Sequence, residues 1–160
     1  MTRTMMTAVT RGRRSISAAV VIGSWYLMEI IHEGGHVLGA RGQVERVTIP
    51  LIGISSTSYS SGNPSILALA CGPLLGALVP LGLLLLPRAT WWGRSGWFFS
   101  GFCLVANGIY LAAGVTMTAG DTADLIARGV PIAVLVATGT ILTVCGFTVW
   151  HHNGRWAGLG

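Results

Sequence analysis

Apolar residues form four long stretches along the chain, and short polar segments separate them. A helix that crosses a bilayer needs about 20 mostly apolar residues. The predicted spans are residues 16–40, 65–86, 96–117 and 130–150. Pro73 and Pro80 fall within the second span, which membrane helices tolerate because neighbouring groups satisfy the freed backbone. We therefore expect an all-α integral membrane protein, a bundle of about four transmembrane helices.

The segment between the first two spans, residues 41–64, has a different pattern. Apolar residues alternate partly with polar ones around Pro50: Val44, Val47, Ile49 and Leu51. A Ser/Thr-rich stretch follows them. Partial alternation favours a short β-hairpin or edge strand near the membrane surface. A disordered loop fits the same residues, and both interpretations stay open here.

Composition supports the membrane assignment and excludes other classes of protein. Of the 160 residues, 52% are hydrophobic and 9% are charged, and the mean hydropathy is +0.67. A soluble domain of this size is far less apolar. The length allows one domain, residues 1–160.

The net charge of +5 comes without a basic stripe interleaved with aromatics. We therefore expect no nucleic-acid partner and expect the protein to contact a bilayer with anionic headgroups instead.

Basic residues near the N-terminus predict the orientation in the membrane. Arg3, Arg11, Arg13 and Arg14 precede the first span, and cytoplasmic segments carry an excess of such residues. The apolar run that follows is too long for a secretory signal, and no A-x-A-like cleavage site comes after it. We expect residues 1–15 to form a basic cytoplasmic tail of a multi-pass protein in a bacterial cell membrane.

Ionisable residues are concentrated in "MEIIHEGGHVLGA", residues 28–40, at the end of the first span. Such residues cost about 2.5–3.5 kcal/mol each inside a membrane on insertion scales, which indicates a function. In a helix, His32 and His36 lie on one face a turn apart. They can bind one Zn²⁺ ion while Glu33 acts as general base on a metal-activated water, which is the HExxH arrangement. Two imidazoles and a carboxylate suit zinc.

A catalytic zinc usually has three protein ligands and one open position. The other candidates are Glu29, Glu45, Asp121, Asp124, His151 and His152. The first span runs outward, so its histidines lie in the outer half, and the outer end of the fourth span is "TAGDTADLIARG". We therefore predict Asp121 as the third ligand, with Asp124 as the fallback. Helix capping is the alternative role for Asp121, and His151 and His152 form an interfacial pair at the opposite face.

Glu29 and Asn107 are the predicted ligand-orienting or substrate-positioning residues. Glu29 lies one turn before Glu33, so it either accepts a hydrogen bond from a ligand histidine or is a protonated core residue. Asn107 lies midway along the third span, where an amide needs a partner. It holds a substrate group or oxyanion, or it joins helices.

This arrangement resembles the site-2 protease family of intramembrane zinc metalloproteases. The resemblance covers most of the chain in architecture, and its specific motif is "HEGGH", residues 32–36. It implies that His32 and His36 bind zinc, that Glu33 is catalytic, and that the substrates are membrane proteins or membrane peptides. The family's later aspartate lies in an Asp-Gly setting, whereas this chain has "GDTADL" two spans after the motif. No PDZ-like or CBS-like domain fits in the chain, so the expected protein is a minimal core.

Three other functions are compatible with the same residues. A metal-handling or proton-handling membrane protein would use them as a relay, but the inner half of the bundle offers few polar residues to continue one. A catalytically inactive scaffold or chaperone would not need an intact HExxH. A zinc hydrolase acting on lipids would share the site. Substituting Glu33→Gln separates them, because it abolishes hydrolysis and leaves a transporter or scaffold mildly affected.

Overall fold

The computed structural model describes the backbone of residues 3–156 and the side chains of residues 19–153. This part of the chain is mostly helical, with one two-stranded sheet. In chain order the elements are α1 (Arg3–Gly39), β1 (Val44–Thr48), β2 (Ser56–Tyr59), α2 (Ile66–Leu78), α3 (Trp91–Ala113), α4 (Asp121–Ala127) and α5 (Ile132–Trp156). Short 3₁₀ segments continue α2 (Val79–Leu85) and α3 (Gly114–Thr116).

Three helical segments in the described range are long and apolar enough to cross a membrane: Ile66–Leu85, Trp91–Thr116 and Ile132–Asn153. They match the second, third and fourth predicted spans. The first predicted span, residues 16–40, lies inside α1. The side chains at its start lie outside the described part, and the described residues of α1 do not form one of the three segments. For the predicted basic tail, residues 1–15, the side chains lie outside the described part.

The second span is not one uniform helix. Its α-helical part ends at Leu78, and the 3₁₀ segment completes it. Pro80 has no N–H and so cannot donate a hydrogen bond to the carbonyl four residues earlier, which interrupts the α-helical pattern. The Ser100 hydroxyl of α3 donates to the Pro80 carbonyl at 2.6 Å. A neighbouring helix therefore supports the backbone where the proline breaks it.

Helix α2 lies between α1 and α3, and α3 packs along α5. At the α1–α2 contact, a Cβ added to Gly35 would lie 2.3 Å from the carbonyl oxygen of Cys71. Only glycine permits this approach of two backbones. The main core cluster joins α2, α3, α4 and α5 through Leu69, Ala77, Leu104, Leu111, Leu125, Leu135 and Leu142.

The segment between α1 and α2 is a β-hairpin, which confirms that interpretation of residues 41–64. The strands pair antiparallel, from Val44 opposite Tyr59 to Thr48 opposite Ser56. The Tyr26 hydroxyl of α1 donates to a backbone carbonyl in the connecting loop. The hairpin therefore lies along α1, with its tip beside Tyr26 and its open end beside the histidines.

The segment between α3 and α5 contains the short helix α4. Its N-cap is Gly120, and Asp121 is its first residue. The alternative role of Asp121 as a helix cap is therefore wrong. Helix α5, which covers most of the fourth predicted span, is a separate helix that starts at Ile132. Buried Thr122 and Leu125 hold α4 against the core. Packing thus fixes where the side chain of Asp121 lies.

Candidate metal centre

His32, His36 and Asp121 bring three ligand atoms together at the C-terminal end of α1. The Nε2 atoms of the two histidines lie 3.1 Å apart, and each lies 3.1 Å from Oδ2 of Asp121. The three atoms form a nearly equilateral triangle. Among the described residues this is the one group of His, Cys, Asp and Glu side chains with the geometry to hold a metal ion.

The opposite nitrogen of each imidazole faces a hydrogen-bond acceptor. Nδ1 of His36 lies 2.8 Å from the backbone carbonyl of Ala68 on α2. Nδ1 of His32 lies 2.8 Å from the Oδ1 atom of Asn107 on α3. The Asn107 amide nitrogen donates to the Cys103 carbonyl at 3.0 Å, so its oxygen is the atom that faces the imidazole.

These contacts decide where the imidazole protons are. Because Nδ1 of each histidine faces an acceptor, Nδ1 carries the proton when a metal ion takes the Nε2 lone pairs. Both Nε2 atoms then present lone pairs to each other and to the Asp121 carboxylate. Three acceptors at this distance repel one another unless positive charge lies among them. The surroundings of the two rings therefore prepare a cation site.

The triangle has the dimensions of a metal site. Zinc binds imidazole nitrogen and carboxylate oxygen at about 2.0–2.2 Å, which separates neighbouring ligands of a tetrahedral ion by roughly 3.3 Å. The observed separation is 3.1 Å. An ion held by His32, His36 and Asp121 would keep an open coordination position for water or substrate. The donor set fits a divalent metal ion.

Tyr110 of α3 positions Asp121. Its hydroxyl donates to Oδ2 of Asp121 at 3.2 Å and accepts a hydrogen bond from the Asp121 backbone N–H at 3.0 Å. Without a metal ion, burial raises the pKa of the Asp121 carboxyl, but hydrogen bonds and positive charge from protonated His32 and His36 lower it by more, so the group is ionised. Sequence reasoning missed Tyr110, although it lies three residues after Asn107 and so shares a face of the helix with it.

Glu33 lies within the fold beside the triad. Its side chain is 3% exposed, and its Oε2 accepts a hydrogen bond of 2.5 Å from the Thr57 hydroxyl of β2. Thr57 also escaped the sequence analysis, because nothing in the Ser/Thr-rich run distinguishes this residue from its neighbours. The hairpin therefore fixes the orientation of the predicted general base.

Glu29 lies one turn before Glu33 and is 4% exposed. Its carboxylate lies beside Trp25 and Ser55, and its Oε2 has no hydrogen-bond partner among the described residues. The ligand histidines instead bond to the Ala68 carbonyl and to Asn107. Of the two predicted supporting residues, Asn107 is thus the one whose side chain contacts a ligand.

The remaining candidates lie outside the triad. Asp124 is exposed on α4, three residues after Asp121, and Glu45 is exposed on β1. His151 and His152 are exposed near the end of α5. A rise of 1.5 Å per residue puts them about 29 Å along the helix axis from the first residue of α5. The structure brings the preferred aspartate to the histidines and not the fallback.

Gly72 of α2 makes room for one of the ligands. A Cβ added there would lie 2.2 Å from Nε2 of His36. The side chain of His36 is 2% exposed, so the ring has little freedom to move away. The absence of a side chain at this position is therefore part of the site.

The chain matches no protein-family model, no curated protein and no solved structure.

Proposed function

We propose that this protein is an intramembrane zinc metalloprotease of the site-2 protease type, which hydrolyses peptide bonds of membrane-protein substrates. One observation carries the proposal. His32, His36 and Asp121 direct three acceptor atoms at one point, 3.1 Å from each other, and Glu33 of the same motif is buried beside them. That is the donor set and the base that metal-assisted hydrolysis needs.

A zinc ion held by the three ligands would lower the pKa of a bound water and polarise the scissile carbonyl. Glu33 accepts the proton of the attacking water and delivers it to the amide nitrogen as the C–N bond breaks. Thr57 keeps the carboxylate of Glu33 in a fixed orientation for both transfers. Asn107 and Ala68 fix the two imidazole rings.

The substrate is a membrane helix that unwinds at the scissile bond, because intrahelical hydrogen bonds otherwise hide the carbonyl. In the described part of the chain, β1 and β2 pair with each other alone, so each strand has an edge with free backbone groups. An unwound substrate segment can add to such an edge through main-chain hydrogen bonds. Three helices apolar enough to span a membrane support a site that acts on lipid-embedded substrates.

The test compares zinc content and cleavage in the purified, lipid-reconstituted protein. The probe is a panel of tagged single-span peptides with glycine-rich, easily unwound segments. We expect one zinc per chain in the wild type, loss of zinc in His36→Ala, and loss of cleavage with zinc retained in Glu33→Gln. The same substitution at the exposed Glu45, Glu45→Gln, is the matched control and should leave both unchanged.

Two results would reject the proposal. The first is a wild-type protein that binds zinc and cleaves none of the peptides. The second is a Glu33→Gln variant that cleaves at the wild-type rate, which would assign the bound metal to a scaffold, transport or other role.

A further inference from the structure

Tyr59 faces the metal centre from the end of β2. Side chains two residues apart on a strand share a face, and Tyr59 follows Thr57, whose hydroxyl donates to Glu33. The Tyr59 ring lies edge-on to the ring of His36, with the two centroids 6.4 Å apart. The same face of β2 therefore presents one hydroxyl to the predicted base and brings a tyrosine ring beside one of the ligands.

The Tyr59 hydroxyl has no assigned role in the fold. Its oxygen is buried and has no hydrogen-bond partner among the described residues. The other tyrosine hydroxyls are engaged: Tyr110 bonds to Asp121, and Tyr26 bonds to the Leu51 carbonyl. A buried donor without a partner is rare in proteins and indicates a strained or functional group.

The phenol is a donor and not a base. The ordinary pKa of a tyrosine hydroxyl is about 10, so this group keeps its proton at neutral pH. It can donate a hydrogen bond, and it does not compete with Glu33 for the proton of the attacking water.

We propose that the Tyr59 hydroxyl donates a hydrogen bond to the carbonyl oxygen of the scissile peptide bond as that oxygen becomes negatively charged. This role rests on the proposed protease function. The water oxygen bonds to the carbonyl carbon, and the π-electron pair moves to the carbonyl oxygen, which Tyr59 stabilises. Glu33 takes the proton from the water and gives it to the departing amine. Tyr59 keeps its own proton throughout.

The experiment measures inhibitor binding to the zinc-loaded, lipid-reconstituted protein. A peptide phosphinate carries an anionic oxygen where the substrate oxyanion forms, whereas a peptide thiol binds through sulfur and carries none. In Tyr59→Phe we expect phosphinate affinity to fall by roughly 10²-fold, the effect of losing one oxyanion donor. Thiol affinity and zinc content should stay at the wild-type values. On cleavable peptides, kcat should fall and KM should change little.

Ser58→Ala is the matched control, because it removes a hydroxyl from the exposed face of the same strand. It should bind both inhibitors as the wild type does. Phosphinate affinity in Tyr59→Phe within about twofold of the wild type would overturn the proposal, and so would loss of zinc in that variant. A wild type that cleaves no peptide but shows the Tyr59-dependent phosphinate affinity would reject the protease function, and it would assign Tyr59 as a donor to an anion bound at the metal site rather than to a scissile carbonyl.

Discussion

The amide oxygen of Asn107 on α3 lies 2.8 Å from Nδ1 of His32 on α1. The amide nitrogen of the same residue donates to a carbonyl one turn earlier in its own helix. One buried side chain thereby fixes the orientation of a ligand ring on another helix. Such partners of metal-binding histidines usually affect metal affinity by 10–100-fold.

Replacing Asn107 tests this contact. Asn107→Leu removes the acceptor for the Nδ1 proton, and we expect zinc affinity to fall roughly 10–100-fold. Asn107→Asp is the matched variant, since it keeps an oxygen acceptor, and it should bind zinc more tightly than Asn107→Leu. Competition with a chelator of known affinity gives both values. Equal affinity in Asn107→Leu and the wild type would show that the contact does not orient the ligand.

The contact between Tyr110 and Asp121 predicts a second effect on the metal. Tyr110→Phe removes the hydroxyl that bonds to both the carboxylate and the backbone N–H of Asp121. We expect about a 10-fold loss of zinc affinity, at the lower end of the range for residues that support a ligand. Tyr26→Phe deletes a hydroxyl at the hairpin tip and should retain wild-type affinity. The same chelator competition measures both, and a larger loss in Tyr26→Phe would contradict the assignment.

The close approach of Gly72 to His36 makes a steric prediction. Because a Cβ at position 72 would lie 2.2 Å from Nε2 of His36, Gly72→Ala displaces the imidazole from its ligand position. We expect zinc binding to be lost. Gly82→Ala is the control on the same span, because a Cβ there meets nothing within 4 Å. Stoichiometric zinc in Gly72→Ala, measured on folded protein by elemental analysis, would refute the geometry.

The bond from Thr57 to Glu33 predicts a change in catalysis without a change in metal. Thr57→Val keeps the shape of the side chain and removes the donor, which to a charged acceptor contributes about 1.5–3 kcal/mol. We expect kcat to fall by about 10-fold or more, one factor of 10 for each 1.36 kcal/mol, with zinc content unchanged. Thr48→Val makes the same substitution at an exposed site of β1 and should cleave normally. A normal kcat in Thr57→Val would mean that Glu33 needs no support from the hairpin.

Much of the helical layout and the candidate ligands His32, His36 and Asp121 were predicted from the sequence. Hydropathy averages over about 20 residues, so the apolar spans in 65–86, 96–117 and 130–150 stand out without any knowledge of packing. The pair of His32 and His36 was equally accessible, because helix geometry alone puts residues four apart on one face. The first span was predicted in the same way, and its described residues are not among the three apolar segments of the structure.

Tertiary structure decided which distant side chains complete the site. Asp121 is separated from His36 by 85 positions, and its choice over Asp124 depends on how α4 packs rather than on any local pattern. Asn107 was predicted as a supporting residue, but its partner, His32, is known only from the fold. Tyr110, Thr57 and Tyr59 were not predicted, because nothing in the local sequence shows which atoms their hydroxyl groups face. The sequence by itself determined the periodic features, because those depend on neighbours along the chain. The ligand set and its hydrogen-bond partners depend on contacts between elements, which only the folded arrangement specifies.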